Sequence, residues 1–353
     1  MKKVIKRLFT LKKIFVKEKL PRLVYKSAFF SSMYYLLFDP SFRREQQAVL
    51  AGKVKHIEES EHSKANYYLL VRNTHRIEKG LLMKPKRSVY GRDYIDETID
   101  SFEGVWNSDE MVSNPQMKWF YDVLLEYFIT ASSDPYILNL YERFKIKVQD
   151  YEGKGGDECS KKSIPYFRLE NNRSGVKFED FYKLTKQRRS IRWFLDKPVE
   201  RNLIDQAIMA GNQSPSACNR QPFEFRIFDD PNLVKEVVQF PMGTKGYGHT
   251  IPVMVVLVGN LDAYFNERDR HVIYIDASLA AMSFMLALET MGLSSCAINW
   301  PDIEERERKM EHFLKLGKHQ RPLMCMGIGY PDSEGLIAFS EKLPLDRLRK
   351  YNN

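Results

Sequence analysis

An α+β fold preceded by an all-α region follows from three features of the 353-residue sequence. From Pro40 to about Tyr151, apolar residues recur at three- and four-residue spacing with few β-branched runs, which is the pattern of packed helices. Beyond residue 178, helical patterns alternate with short β-type runs: Phe223 to Phe228 alternates Phe-Glu-Phe-Arg-Ile-Phe, and Val253 to Val258 is apolar throughout. The first suits a half-buried strand and the second a central strand covered on both faces. Between the two regions, Glu152 to Ser160 is Gly-rich and charged, as linkers are. The expected organisation is an arm over 1–39, a helical region over 40–151, a linker over 152–177 and a second domain over 178–353.

The helical region divides at turn signals into Phe42 to Glu61, Ala65 to Leu82, Tyr94 to Trp106, Pro115 to Ala131 and Tyr136 to Tyr151. In the second domain Phe178 to Arg188 is the first helix, and Pro198 introduces another over Glu200 to Ala210 that Gly211 would end. Asp229-Asp230-Pro231 is a turn and helix start. Ser294 to Ile298 and Leu323 to Ile328 supply further strands, and helices over Ile273 to Met291 and Ile303 to Leu316 complete a sandwich around one sheet.

Hydrophobic residues make up 43% and aromatics 13% of the chain, ample for buried cores in a globular protein. The four cysteines, Cys159, Cys218, Cys296 and Cys325, show no CxxC or other close pairing. That argues against a zinc knuckle or a disulfide framework and fits a reducing cytoplasm. Of 55 Lys/Arg and 46 Asp/Glu, ten and one fall within residues 1–26, which leaves 45 of each in the rest. The net charge of +9 therefore belongs to the arm.

On a helical wheel Val4, Ile5, Leu8, Phe9, Leu11, Phe15 and Val16 share a sector opposite Lys2, Lys3, Lys6, Arg7, Lys13 and Lys17. Such a helix suits the interface of an anionic membrane, each basic residue adding ~1 kcal/mol near the surface. Docking on its own domain and binding nucleic acid are the competing readings; no nucleic-acid motif accompanies the charge, and none is expected as partner. Lys12, Lys13 and Lys17 interrupt any signal-peptide core. After the arm, the uncharged run Ser27 to Phe38 falls short of the ~20 residues that a spanning helix needs.

Two stretches carry chemistry. Arg188, Arg189, Ser190 and Arg192 place three guanidiniums and a hydroxyl at the end of a helix, a set that matches phosphate oxygens. The plain alternative is a solvated helix end paired with acids. Ser214-Pro215-Ser216-Ala217-Cys218-Asn219-Arg220-Gln221-Pro222 is a loop of small and amide residues held by two prolines, able to approach a flat ring and meet its edge. In the helical region His75 and Glu78 share a helix face; an interhelical or solvated pair, with Gly80 as C-cap, is the plainer reading than a metal site, since no third ligand is visible. Cys218 is a redox thiol or simply a small buried residue, and Asp276 a helix cap or a site residue.

The order Arg188-Arg189-Ser190-Ile191-Arg192, then Ser214 to Phe223, the apolar strand Pro252 to Gly259, the helix Tyr274 to Leu293, the strand Ser294 to Trp300 and Met326 to Pro331 resembles the FMN-dependent nitroreductase family over about residues 178–350. The resemblance implies a nitroreductase-like sandwich with a central, mostly antiparallel sheet flanked by helices. It implies FMN, with Arg188 and Ser190 on the phosphate and ribityl chain, Arg189 beside them, and Arg192 near the anionic edge of the reduced ring. Pro215, Ser216, Asn219 and Gln221 match a loop that reaches the flavin of a partner in a homodimer. Asp276, Cys296, Ala297 and Asn299 match positions along the ring, and Lys342 a phosphate contact. Relatives often continue that strand into glycine where Trp300 and Pro301 stand here. By the same resemblance the reaction is a two-electron transfer from NADH or NADPH through flavin N5 to a small-molecule acceptor, with no catalytic side chain of its own. The acceptor is nitroaromatic, quinone-like or a cell-envelope intermediate, since His75 to Leu81 is similar to stretches that precede nitroreductase domains in surface-polysaccharide systems. An oxidatively working dehydrogenase and a non-catalytic flavin-binding scaffold at the inner membrane face are the alternatives.

Overall fold

The computed structural model describes residues 15–85, 89–111, 113–131, 134–152, 162–169 and 173–352. The arm up to residue 14, Lys86 and Arg87, and the Gly-rich stretch 153–160 with Cys159 lie outside them. Two short helices, α1 (Leu20–Val24) and α2 (Ala28–Leu37), lead into the helical region. There follow α3 (Arg43–Glu61), α4 (Tyr67–Leu81), α5 (Ile95–Val105), α6 (Pro115–Thr130) and α7 (Pro135–Glu152), each close to its sequence expectation. Asn66 and Asn114 start α4 and α6, their side chains accepting from Leu69 N and Gln116 N. The apolar faces of α4 to α7 close on one core that includes Ile77, Phe102, Phe120, Tyr127 and Phe144, all fully buried.

The second domain runs α8 (Phe178–Gln187), α9 (Arg201–Asn212), β1 (Phe223–Phe228), α10 (Pro231–Val237), β2 (Val253–Asn260), α11 (Val272–Thr290), β3 (Ser294–Asn299), α12 (Glu304–Leu314), β4 (Gln320–Gly329) and α13 (Leu345–Leu348). The sheet order is β1-β2-β4-β3, antiparallel throughout. β2 is buried along its whole length because both faces are covered. Met254, Val256 and Val258 face one core with Val234, Val237 and Met310, while Val253, Val255 and Leu257 face another with Ala207, Ala277 and Phe284. Pro322, which has no N–H to give a ladder, sits where the β2–β4 register slips between Leu257 and Val258. Asp230 starts α10 by accepting from Asn232 N and Leu233 N, as its sequence suggested.

Two glycines differ from expectation. Gly211 lies inside α9 rather than ending it: a Cβ there would meet Ala280 O at 3.1 Å, so the residue lets α9 and α11 approach. Gly80 likewise sits within α4, with the Tyr90 ring 2.0 Å from where its Cβ would be. Both are close-packing glycines, a role that local pattern does not distinguish from a cap.

The helical region is docked on the second domain and not merely tethered to it. α3 lies along residues 261–264, where Ala48 packs with Leu261, Ala263, Tyr264 and Ile273. His56 is buried with Nδ1 2.8 Å from Asp262 O, and burial pushes its imidazole below the ordinary range. Arg44 forks onto Glu304 at 2.8 Å and also pairs with Glu311. Gly52 sets the spacing, since a Cβ there would lie 2.6 Å from the Leu261 carbonyl carbon. Gly52→Ala is expected to overpack this seam and cost ~1–3 kcal/mol, which calorimetry of the full chain would register as a lower Tm. An unchanged Tm would mean that the seam bears no load.

Candidate functional site

The arginine-rich segment is joined to the edge of the sheet. α8 stops because Arg188 turns extended (φ −57°, ψ 116°), and the chain then runs beside β3, with Ser190 bridging Ser295 in parallel and Ile191 N–H donating to Ser295 O at 3.0 Å. Ile191 and Phe194 enter the core, whereas Arg192 is exposed. Phe194 bridges Pro331, and Leu195 N–H donates to Tyr330 O at 2.9 Å, closing the segment at its far end. Arg188 and Arg189 are half-buried. Arg188 Nε and Ser295 Oγ are both buried without a hydrogen-bond partner. Such orphaned polar atoms are rare in a finished interior, and a water or a ligand can supply the missing partner. A flavin phosphate and ribityl chain, which bring acceptor oxygens and hydroxyls, fit that deficit.

β3 carries its other expected residues on two faces. Ala297 and Asn299 are exposed on the open side of the edge strand, whereas Cys296 is buried on the other. Cys296 Sγ lies 3.7 Å from Tyr247 Oη, a phenol that burial pushes up to about 12, and the Arg192 guanidinium stands 5.9 Å from the same ring. Strand alternation thus separates Cys296, a core side chain, from Ala297 and Asn299, which face open space beside the arginine segment.

The second half of the site is the loop between α9 and β1. Cys218 (φ 54°), Asn219 (φ 57°) and Gln221 (φ 49°) all adopt the left-handed region, which non-glycine residues avoid. Three such residues in four positions are held only because the surroundings over-determine them. Gln221 N–H donates to Ser216 Oγ at 3.1 Å, Gln221 Nε2 to Asn219 Oδ1 at 3.1 Å, and Ala217 N–H to Asp276 Oδ2 at 3.0 Å. Asp276, the fifth residue of α11, is buried; desolvation raises its carboxyl, while Ala217 N–H, Tyr264 Oη at 3.4 Å and the Arg220 charge act the other way. Ser214 Oγ bonds Leu279 O at 3.2 Å and Ser283 Oγ at 2.9 Å. Asp276 therefore acts here on the loop, a role its place in the sequence did not reveal.

α4 packs against this loop and brings part of the helical region to it. A cavity of about 790 Å³ is lined by Pro215, Ser216, Asn219 and Gln221 on one side and by His75, Glu78, Gln116 and Trp119 on the other. His75 Nδ1 lies 3.6 Å from Glu78 Oε2, within ion-pair reach and too long for a hydrogen bond. The pair borders the loop expected to touch a cofactor, which spacing alone could not show. Among the described residues no group of three or more His, Cys, Asp or Glu is placed to hold a metal ion. Lys342 stands on an exposed C-terminal tail with Leu336, Phe339, Leu343 and Leu348 uncovered.

The second domain carries a nitroreductase-family domain, that of an oxidoreductase: residues 185–244 and 234–330 match that family. Iodotyrosine deiodinase 1 of Sus scrofa is 24% identical over 198 positions, covering 48% of this chain and 68% of that protein. A putative NADH dehydrogenase/NAD(P)H nitroreductase of Archaeoglobus fulgidus is 24% identical over 174 positions, covering 49% of this chain and 98% of that protein. Among solved structures, an FMN-dependent nitroreductase of Clostridium difficile aligns with 24% identity and a TM-score of 0.42 over 48% of this chain and 98% of that one.

Asp276→Ala removes the acceptor of Ala217 N–H and Tyr264 O–H. The expected outcome is a stability loss of ~1–3 kcal/mol and faster hydrogen exchange across residues 214–221. Unaltered exchange there would show that the loop holds its shape without the carboxylate.

Proposed function

We propose that the protein is a homodimeric FMN-dependent oxidoreductase carrying two electrons from NADH or NADPH to a small-molecule acceptor. The observation that carries this reading is where the strained loop is fastened. Its anchors Asp276, Leu279 and Ser283 belong to α11, whose Ile275, Leu279 and Met282 form an apolar stripe that is 57%, 43% and 39% exposed in a single copy. Residues at this spacing share one helix face, and an uncovered apolar stripe on an otherwise core helix calls for a partner. A second copy related by a two-fold axis would cover it and receive the loop. Residues 267–290 would be long and apolar enough to cross a membrane by composition, but 44% of that apolar window is buried against the sheet.

On this reading each site is shared. Arg188, Arg189 and Ser190 would hold the phosphate and ribityl chain, with Ser295 as an added donor, and Lys342 would reach a phosphate from the folded tail. Arg192 would set a fixed positive charge near the ring, favouring its reduced anionic form. Ala297 and Asn299 would border the ring from the open face of β3, with Cys296 contributing through its backbone. Pro215, Ser216, Asn219 and Gln221 would come from the other copy. Bound FMN would supply the two-electron chemistry, taking hydride equivalents from a nicotinamide and passing them to the acceptor. The names of the deiodinase and NAD(P)H nitroreductase relatives point to different substrates, so they support a redox reading without naming the acceptor.

We also place the protein at an anionic surface, at the cytoplasmic face of a membrane. In α2 Phe29 is 68% and Phe30 57% exposed, and α1 adds Leu23, directly after an arm rich in lysine and arginine. Aromatic and basic residues in that combination suit the headgroup region of a bilayer.

Purified protein is expected to be yellow and to bleach anaerobically with NADH or NADPH. Leu279→Glu should split the dimer in analytical ultracentrifugation and release flavin; a colourless parent that takes up no FMN would end this reading. In flotation with phosphatidylserine-containing vesicles, deletion of residues 1–26 should abolish co-flotation, and unchanged partition would end the membrane assignment.

A further inference from the structure

The cavity between the loop and the helical region has a composition that the family's shared chemistry does not account for. Its wall from α4 and α6 carries His75, Glu78, Gln116 and Trp119, and among the described lining residues there is no lysine or arginine. An acceptor bearing a carboxylate, phosphate or sulfonate would meet the like-charged carboxylate of Glu78, whereas an uncharged ring with polar oxygens finds an indole to stack on and amide groups to bond. His75 and Glu78 are the titratable groups of that wall. Arg72 and Arg76 lie on the same helix and pair with Glu97 and Asp93. On the facing elements Asn114, Gln116 and Trp119 of the α6 start, and Ser216, Asn219 and Gln221 of the loop, are uncharged. Glu78 Oε2 stands 3.6 Å from His75 Nδ1, within ion-pair reach of the imidazole.

Resting on the composite-site reading above, we propose that this cavity is the acceptor pocket, that it selects uncharged acceptors over anionic ones, and that His75 gives the acceptor its proton. For a quinone-type acceptor the balance is NAD(P)H plus one proton plus quinone, yielding NAD(P)+ plus hydroquinone. The nicotinamide is oxidised by loss of a hydride and its electron pair reduces the quinone. Two O–H bonds form as both C=O π bonds of the quinone give way to the aromatic ring: one oxygen takes the hydrogen that arrives with the electron pair, and the other takes the proton released as an N–H bond of His75 breaks. Solvent then recharges the imidazole. The helical region is thereby a working wall of the site, supplying the proton source and the charge filter.

The test uses the full-length flavin-loaded protein in stopped flow, pre-reduced with NADPH or NADH and mixed with menadione or with sulfonated naphthoquinone. His75→Gln should slow the menadione step on the order of 100-fold relative to the nicotinamide step, in the range general acid catalysis supplies. Glu78→Gln should narrow the preference for the uncharged quinone, and Trp119→Ala should weaken menadione binding to the oxidised protein about tenfold, read by equilibrium dialysis. If His75→Gln does not fold, the Glu78 charge preference and the Trp119 binding constant decide alone. Normal bleaching by nicotinamide with unchanged menadione rate, charge preference and menadione binding in the variants overturns the pocket. A parent that neither nicotinamide bleaches fails a step earlier and overturns the composite-site reading on which the pocket rests.

Discussion

A buried carboxylate holds together what would otherwise fall apart. The loop before β1 keeps Cys218, Asn219 and Gln221 in left-handed backbone, at a cost of ~1–3 kcal/mol for each such residue. What offsets this is local and directional: Asp276 on Ala217 N–H, Ser216 on Gln221 N–H, and Ser214 on α11. Asp276 can do so because α11 is fixed by the core, where Ala277, Phe284 and Leu288 pack on one face of the sheet. The loop's shape thus depends on the helix, and the helix on the doubly covered strand β2.

That dependence explains why one helix faces two ways. Its inner side completes the core, and its outer side carries an uncovered apolar stripe beside the anchored loop. The arginine segment is organised by a different constraint, the unpaired edge of β3, which it caps through the Ser190–Ser295 bridge. Within one copy these halves hang on different elements, and the loop instead meets the helical region across a polar cavity.

The docked seam gives the helical region a fixed position relative to that cavity. Buried His56 on Asp262 O, the Arg44 fork and the close approach at Gly52 orient α3, and the shared core of α4 to α7 orients the wall that bears His75 and Trp119. A wall set this way is a positioned surface, which binding selectivity requires.

Local pattern was enough to determine much of this protein. The helices from Arg43 to Glu152, the half-buried β1 and fully buried β2, the Asp230 cap and the arginine and Ser214–Gln221 motifs were all legible, because periodicity, turn residues and motif order act over short stretches. Gly211 and Gly80 were misjudged as helix ends, because close packing of Gly211 on α11 and of Gly80 on Tyr90 leaves no local mark. Tertiary structure alone decided that Cys296 faces the core while Ala297 and Asn299 stay open, that Asp276 serves the loop, and that His75 and Glu78 border it. Each of these turns on contacts between residues far apart in the chain. Sequence spacing carries no information about which helix face meets which loop until the core has fixed them both.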